Sequence, residues 1–196
     1  MKRQSYDTDL TDEQWLIVAN FYPKASHKGR PRTQNFREIT NAILYLVRAG
    51  CPWRLLPHDF PKWQTVYYYF RRWQKERIWQ HIHDALRADL RNRAGRNAEP
   101  SAAIADTQSI RTGNHGLSKG FDGGKLIKGR KRHIIVDVMG LLLVVMVHSA
   151  SIQERRGFKI LSYKIRHLFP ELKVIWVDGG YDGQPLKLGL NVGLTG

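Results

Sequence analysis

The sequence has little cysteine, little negative charge and no long apolar run. Its one cysteine, Cys51, excludes an internal disulfide and a zinc site built on cysteine thiolates, and indicates a reducing compartment. No apolar segment approaches the ~18 residues of a membrane span, and the N-terminus lacks the apolar core of a signal peptide. The composition therefore predicts a soluble, cytoplasmic protein with no membrane partner.

Negative charge is scarce along the whole chain. Against 17 Asp+Glu there are 32 Lys+Arg, which gives 196 residues a formal net charge of +15 and a pI near 10.2. Residues 1–100 carry 18 basic and 10 acidic side chains, and residues 101–196 carry 14 and 7, so the charge is not confined to a tail. Two basic surfaces of this kind favour a polyanionic partner, with nucleic acid ahead of an anionic membrane.

The first half has helical periodicity. A capping box at Thr11 and Gln14 begins one helix, and a stripe that starts at Phe36 ends at Gly50. Three prolines in 51–61 prevent a continuous helix, and two further helices are predicted at 62–74 and 78–93. We expect an all-helical domain over residues 1–95, followed by a linker of glycine, proline and charged residues at 96–102.

A basic pair, Arg71 and Arg72, follows the aromatic stripe of the third helix. Several helices in a basic module suggest a relative of the helix-turn-helix proteins, although the connector at 51–61 is longer than their usual turn of ~3–4 residues. The two arginines fit a solvated helix surface and a phosphate contact equally well. The sequence leaves both readings open.

The second half has the periodicity of strands. One strand spans 101–110, a loop or irregular hairpin spans 113–129, and a long apolar hairpin turns at Met139 and Gly140. An amphipathic helix and a short strand ending at Asp178 follow. The order of strand, hairpin, helix and strand predicts a mixed sheet with a helical crossover over residues 103–196.

Two aspartates, Asp106 and Asp178, each follow an apolar strand segment in this predicted sheet. An isolated aspartate at a strand end is usually a turn or helix-cap residue. Two of them at the edge where an open sheet binds ligands also suit two-metal phosphoryl chemistry, which needs rigidly held carboxylates. We therefore predict a metal site at this pair.

Four stretches carry a family resemblance: "CPWRLLPHDFPKWQTVYYYFRRWQKERIW", "ADTQSIRT", "GGKLIKGRKRHIIVDVMGLLL" and "WVDGGYDG". In this order and spacing the chain resembles bacterial insertion-sequence transposases of the DDE type, in the insertion sequence five group. The resemblance implies a helical DNA-binding region and a ribonuclease H-like catalytic domain. It also implies that Asp106 and Asp178 bind Mg²⁺ while water and then a DNA 3′-hydroxyl attack phosphodiesters at the element's ends.

The third acid of that family, a glutamate on a later helix, has no counterpart after Asp178. The last glutamate is Glu171, and the final segment "QPLKLGLNVGLTG" departs from the family pattern. We expect an incomplete catalytic domain that ends early through a frameshift and is impaired in chemistry. Asp182 and Asp137 are the nearest substitutes, but neither is expected to restore strand transfer, because third-ligand geometry must hold to well under an ångström.

The basic stretch "KLIKGRKRH" precedes the hairpin. Lys128, Arg130, Lys131 and Arg132 are either charges in water or a cluster that guides DNA towards the two aspartates. The resemblance implies double-stranded DNA as partner, at terminal inverted repeats and target, in the bacterial nucleoid. It also implies a homodimer, or a heterodimer with full-length transposase.

Three functions stay open on the sequence. The chain is an active transposase if a third acid is supplied, or a cleavage-dead fragment that binds DNA and competes with full-length enzyme. The third alternative is a degenerate, poorly folding product, because a missing strand would leave a sheet edge unpaired and an apolar face uncovered.

Overall fold

The chain divides into two compact units, Met1–Leu86 and Arg87–Gly196. The computed structural model describes residues 3–24, 33–112, 119–177 and 186–187. Within the described ranges, no helix is both long and apolar enough to cross a membrane. The predicted linker at 96–102 lies between the helix that ends at Arg93 and the first strand, which begins at Ala102. The residues before Ala102 in this segment have no regular structure.

The first unit is helical, as predicted. Its described helices, the last of which continues beyond Leu86, are α1 (Asp12–Ala19), α2 (Phe36–Ala49), α3 (Trp63–Lys75) and α4 (Ile78–Arg93), with a short 3-10 turn at Trp53–Leu55. The capping box at Thr11 and Gln14 is formed, and Gly50 ends α2 in the left-handed conformation at φ 66°. Both helix limits therefore follow from local sequence.

The core of the first unit is built on aromatic rings. Trp73, Ile39 and Val66 are fully buried. The ring of Trp73 lies 4.5 Å from Tyr22 and 5.1 Å from Phe36, measured between centroids. This packing joins α3 to α2 and to the end of α1, so the exposed side of α3 is held on a rigid support.

The second unit contains a mixed sheet and one helix, as predicted. Its elements are β1 (Ala102–Arg111), β2 (Gly120–Asp122), β3 (Ile127–Asp137), β4 (Leu142–Ser149), α5 (Glu154–Leu168), β5 (Val174–Val177) and β6 (Leu186–Lys187). The strand order is β2-β3-β1-β5-β6, and β4 pairs with β3. Strand β1 is antiparallel to β3 and parallel to β5, so α5 lies in a crossover connection.

Helix α5 packs on one face of this sheet, here called the α5 face. Leu161 and Ile165 of the helix are fully buried in one cluster with Ala103, Ile135 and Ile175 of the strands. The opposite face carries Ile104 and Trp176 side by side, 45% and 42% exposed, and the next outward residue of β1 is Asp106. We call it the Asp106 face.

Candidate active site and nucleic-acid interface

Asp106 lies in the middle of β1, where the strand alternation turns its side chain outward. Ala103 and Ala105 are buried on the α5 face, whereas Asp106 is exposed opposite Ile134 of β3. The backbone of Asp106 is paired with β3, and β5 pairs with the preceding residues of β1 up to Ala105, which holds the backbone beneath this carboxylate in place. Asp106 is therefore not a turn or cap residue but an outward carboxylate on a central strand.

The neighbouring parallel strand leads to the second predicted acid. The β1–β5 register pairs Ala102 with Val174 and ends with Ala105 opposite Val177. Asp178, the next residue of the chain, lies outside the described residues, as does Asp182. Within the described ranges, no three His, Cys, Asp or Glu side chains form a cluster that could hold a metal ion.

Asp137, considered above as a substitute ligand, lies on the α5 face. It is fully buried, forms an ion pair with Arg91 of α4, and accepts hydrogen bonds from the amides of Met139 and Leu141 at 2.8 and 2.9 Å. Its cross-strand partner is Ala103, three residues before Asp106 and on the opposite face of the sheet. Asp137 thus closes the β3–β4 turn and cannot share a metal ion with Asp106.

The basic stretch divides between the two faces of the sheet. Arg130 and Arg132 alternate with buried residues and share the Asp106 face, and Lys128 is exposed at the start of β3. Lys131 is 3% exposed and lies 3.1 Å from Asp122 on the α5 face. The structure uses Lys131 inside the unit, so a DNA contact by this residue, expected above, has no support from its position.

The carboxylate of Asp122, which pairs with Lys131, accepts several further hydrogen bonds. Ser109 donates a hydrogen bond of 2.5 Å to Asp122, and the backbone amides of Gly124 and Lys125 donate at 3.1 and 3.3 Å. The Ser109 bond, with Lys131 and the Lys125 amide, lowers the pKa of Asp122 to about 2 despite burial. The Lys131–Asp122 pair is therefore an internal brace between β2 and β3.

A basic and aromatic surface lies on α3. A shallow concavity is lined by Tyr67, Tyr68, Arg71, Arg72, Gln74 and Lys75. Arg72 forms an ion pair of 2.8 Å with Glu76, and Arg71 donates to the neutral amide oxygen of Gln74 at 3.0 Å. The charge of Arg72 is partly balanced by this pair, whereas the recorded partner of Arg71 carries no charge.

A histidine pair under α5, of which His133 is buried and His148 half-buried, was not anticipated from the sequence. The Nε2 atoms of His133 and His148 lie 2.7 Å apart, and Thr107 Oγ1 is 2.9 Å from His133 Nδ1. His148 Nδ1 lies 2.8 Å from the carbonyl oxygen of Ser149 and must donate to it, so His148 Nε2 accepts and His133 Nε2 donates. Burial, then the charges of His148 and Lys131, lower the pKa of His133 to about 4, which keeps it neutral at pH 7.

Comparisons with known proteins cover both units. A family model for an IS4/5-family transposase matches residues 10–83, and a transposase DDE domain model matches residues 97–191. The chain is thus similar to IS4/5-family transposases in its first part and to transposase DDE domains in its second. Asp106 and Asp178 both fall within the DDE match, and Arg71 and Arg72 fall within the first.

Two curated relatives are similar to this chain over more than half of its length. The insertion element IS402 uncharacterized 16.2 kDa protein of Burkholderia cepacia is 29% identical over 118 residues, 57% of this chain and 78% of the relative. The uncharacterized protein y4sN of Sinorhizobium fredii is 29% identical over 119 residues, 60% of this chain and 88% of the relative. No solved structure matches the chain.

Proposed function

We propose that the chain acts on the DNA of an insertion sequence, binding its terminal inverted repeats and supporting Mg²⁺-dependent phosphodiester transfer at Asp106 and Asp178. The observation that carries this proposal is the parallel β1–β5 register, which ends with Ala105 opposite Val177. Each aspartate is one Cα step of about 3.8 Å beyond a residue of that pair, and paired strands lie about 4.8 Å apart. Chain geometry alone then limits their Cα atoms to a separation of about 12 Å.

The residues suit a hard divalent cation. Asp106 offers an exposed carboxylate on a backbone that is paired with β3, directly after the residues of β1 that pair with β5, and Asp178 would add a second carboxylate. Mg²⁺ bound there would polarise a phosphodiester and lower the pKa of an attacking water. We further propose the ribonuclease H-like fold for the second unit, which the central β1 flanked by an antiparallel and a parallel strand supports.

Double-stranded DNA is the proposed partner of both units. Arg71 and Arg72 would contact phosphates from the α3 surface, and Lys128, Arg130 and Arg132 would do so from β3. The formal charge of +15 supplies the long-range attraction. For the same role we propose that the two domains are divided at residues 96–102. We also propose that the chain pairs with a second copy or with a full-length transposase, and that it is located at the bacterial nucleoid.

DNA binding without cleavage is the second candidate function. The position of Asp137 favours it, because this buried carboxylate faces away from Asp106 and is already committed to Arg91 and two turn amides. Two-metal transfer would then need a third acid from elsewhere. A chain that binds terminal repeats but cannot cleave would compete with full-length transposase for them.

Duplex binding by α3 variants tests the shared part of both functions. Arg71→Gln should weaken binding of a labelled duplex in fluorescence anisotropy and reduce the slope of log K against log salt by about 0.9, the value for one phosphate contact. Arg72→Gln should act less strongly, because Glu76 already balances that charge. Equal, unchanged slopes in both variants and the parent would remove α3 from the interface.

Cleavage of the same duplex separates the two functions. With Mg²⁺ present, nicking that is lost in Asp106→Asn would support phosphodiester transfer. Binding without nicking in the parent chain would support the competitor. A parent chain that shows no salt-dependent duplex binding would contradict both.

A further inference from the structure

The Asp106 face carries an ordered pair one step away from the carboxylate. Gln108 follows Asp106 by two residues on β1 and therefore points to the same side, about 7 Å further along the strand. Its cross-strand partner is Arg132 of β3, and Arg132 Nη2 donates a hydrogen bond of 2.7 Å to Gln108 Oε1. The guanidinium group is thus held on the same face as Asp106 by a neutral side chain.

The neutrality of Gln108 matters for the electrostatics of this face. An arginine and a carboxylate on the same face can form an ion pair, which would cancel both charges. An amide oxygen orients the planar guanidinium without removing its positive charge, so donor groups and charge stay available to an anion. Arg130 lies opposite Ile110, two residues further along the same face.

The spacing fits one strand of a nucleic-acid duplex. Arg132 and Arg130 stand about 7 Å apart along β3, so the two guanidinium groups can reach different phosphates of one DNA strand. Lys131, between them in sequence, is buried with Asp122 on the α5 face and takes no part. The two arginines therefore form a row that leads towards Asp106.

We propose that Gln108 is a positioning residue that holds Arg132 against a DNA phosphate next to the one at Asp106. This inference rests on the proposed function and adds to it a defined path for the reacting strand along β1 and β3. Gln108 acts only through Arg132 and does not itself contact the reacting phosphate.

Matched changes of glutamine to glutamate test the proposal in the full chain. Gln108→Glu places a carboxylate on Arg132, whereas Gln153→Glu adds the same charge at the exposed start of α5, which packs on the opposite face. Duplex affinity is measured by anisotropy over a series of salt concentrations in EDTA. Gln108→Glu and Arg132→Gln should each reduce the salt slope by about 0.9, and Gln153→Glu should leave the slope at the parental value.

The double variant Gln108→Glu/Arg132→Gln separates positioning from simple charge or folding effects. Its salt slope should equal that of Arg132→Gln alone, because the glutamate has no arginine left to neutralise. Asp106→Asn should raise affinity in EDTA by about twofold, since a carboxylate about 8 Å from a bound phosphate repels it. Thermal unfolding of each variant checks that the sheet is intact.

The outcomes distinguish failure of the Gln108 role from failure of the proposed function. If the parent binds DNA with a clear salt slope but Gln108→Glu behaves like Gln153→Glu, the positioning role is wrong and the proposed function stands. If additive losses appear in the double variant, Gln108 does not act through Arg132. If the parent shows no salt-dependent binding, both the inference and the proposed function fail.

Discussion

Replacing Asp137 with alanine should strongly destabilise the second unit. The substitution leaves the guanidinium of Arg91, 5% exposed, without its carboxylate, and it also removes the acceptor of the Met139 and Leu141 amides. Loss of one partner from a buried ion pair costs about 3–5 kcal/mol. That is a large part of the total of about 5–15 kcal/mol expected for a domain of this size.

The matched control is Asp89→Ala on α4, the helix that carries Arg91. Asp89 pairs with Arg93 at 2.8 Å, but both side chains are largely exposed, 48% and 70%. Such a pair contributes about 0.3–0.5 kcal/mol. The two variants make the same chemical change, but the Asp137 ion pair is buried and its carboxylate also accepts two backbone amides, whereas the Asp89 pair is exposed.

Hydrogen exchange followed by mass spectrometry is the suitable assay, because two units need not unfold in one transition. Peptides from β1, β3 and β4 should lose at least a hundredfold in protection in Asp137→Ala, while peptides from α2 and α3 keep theirs. Asp89→Ala should match the parent throughout. Equal effects of the two variants would refute the argument that Asp137 is a buried structural residue.

Two further predictions concern the histidine pair. Gly157→Ala would place a Cβ 2.6 Å from Nε2 of both His133 and His148, so we expect a net loss of about 1–2 kcal/mol of stability, overpacking being partly offset by helix propensity. Gly123→Ala, with no atom within 4 Å of its Cβ, should change the melting temperature little. The pKa of His133 is about 4 when folded and 6.5 when unfolded, so the unfolded chain binds the proton more tightly. Stability should therefore fall below pH 6.5, by at most about 1.4 kcal/mol per pH unit down to pH 4, and His133→Asn should flatten this slope in exchange measurements at pH 7, 6 and 5.

Much of the fold follows from local sequence signals. The capping box at Thr11, the glycine at position 50 and the Met-Gly turn each fix an element limit through nearest-neighbour chemistry. The crossover by α5 and the mixed sheet follow from the order of elements. The outward direction of Asp106 was not stated in advance, but it agrees with the alternation set by buried Ala103 and Ala105.

The burial phase of β3 could not be read from the sequence. Residues 134–136 are all apolar, so either alternate set could face α5. Pairing with β1 decides the phase and buries the polar set Lys131, His133 and Asp137. A basic stretch that looked uniform therefore contains one internal brace and two outward arginines.

Helical spacing of apolar residues does not by itself identify buried positions. Five apolar helix side chains at such spacing are 41–75% exposed: Val47, Tyr67, Leu90, Ile160 and Leu168. A helical stripe identified by spacing of three and four residues is wider than the contact that a single neighbouring element makes. Tyr67 instead lines the basic surface of α3.

Binding of Mn²⁺, as a paramagnetic substitute for Mg²⁺, tests the central claim most directly. Titration of the full chain is followed by electron paramagnetic resonance of free Mn²⁺, with Asp106→Asn and Asp178→Asn as variants and Asp89→Asn as the control. We predict binding in the parent and the control and its loss in both site variants. Equal binding in all four chains, or none in the parent, would contradict a metal site shared by Asp106 and Asp178.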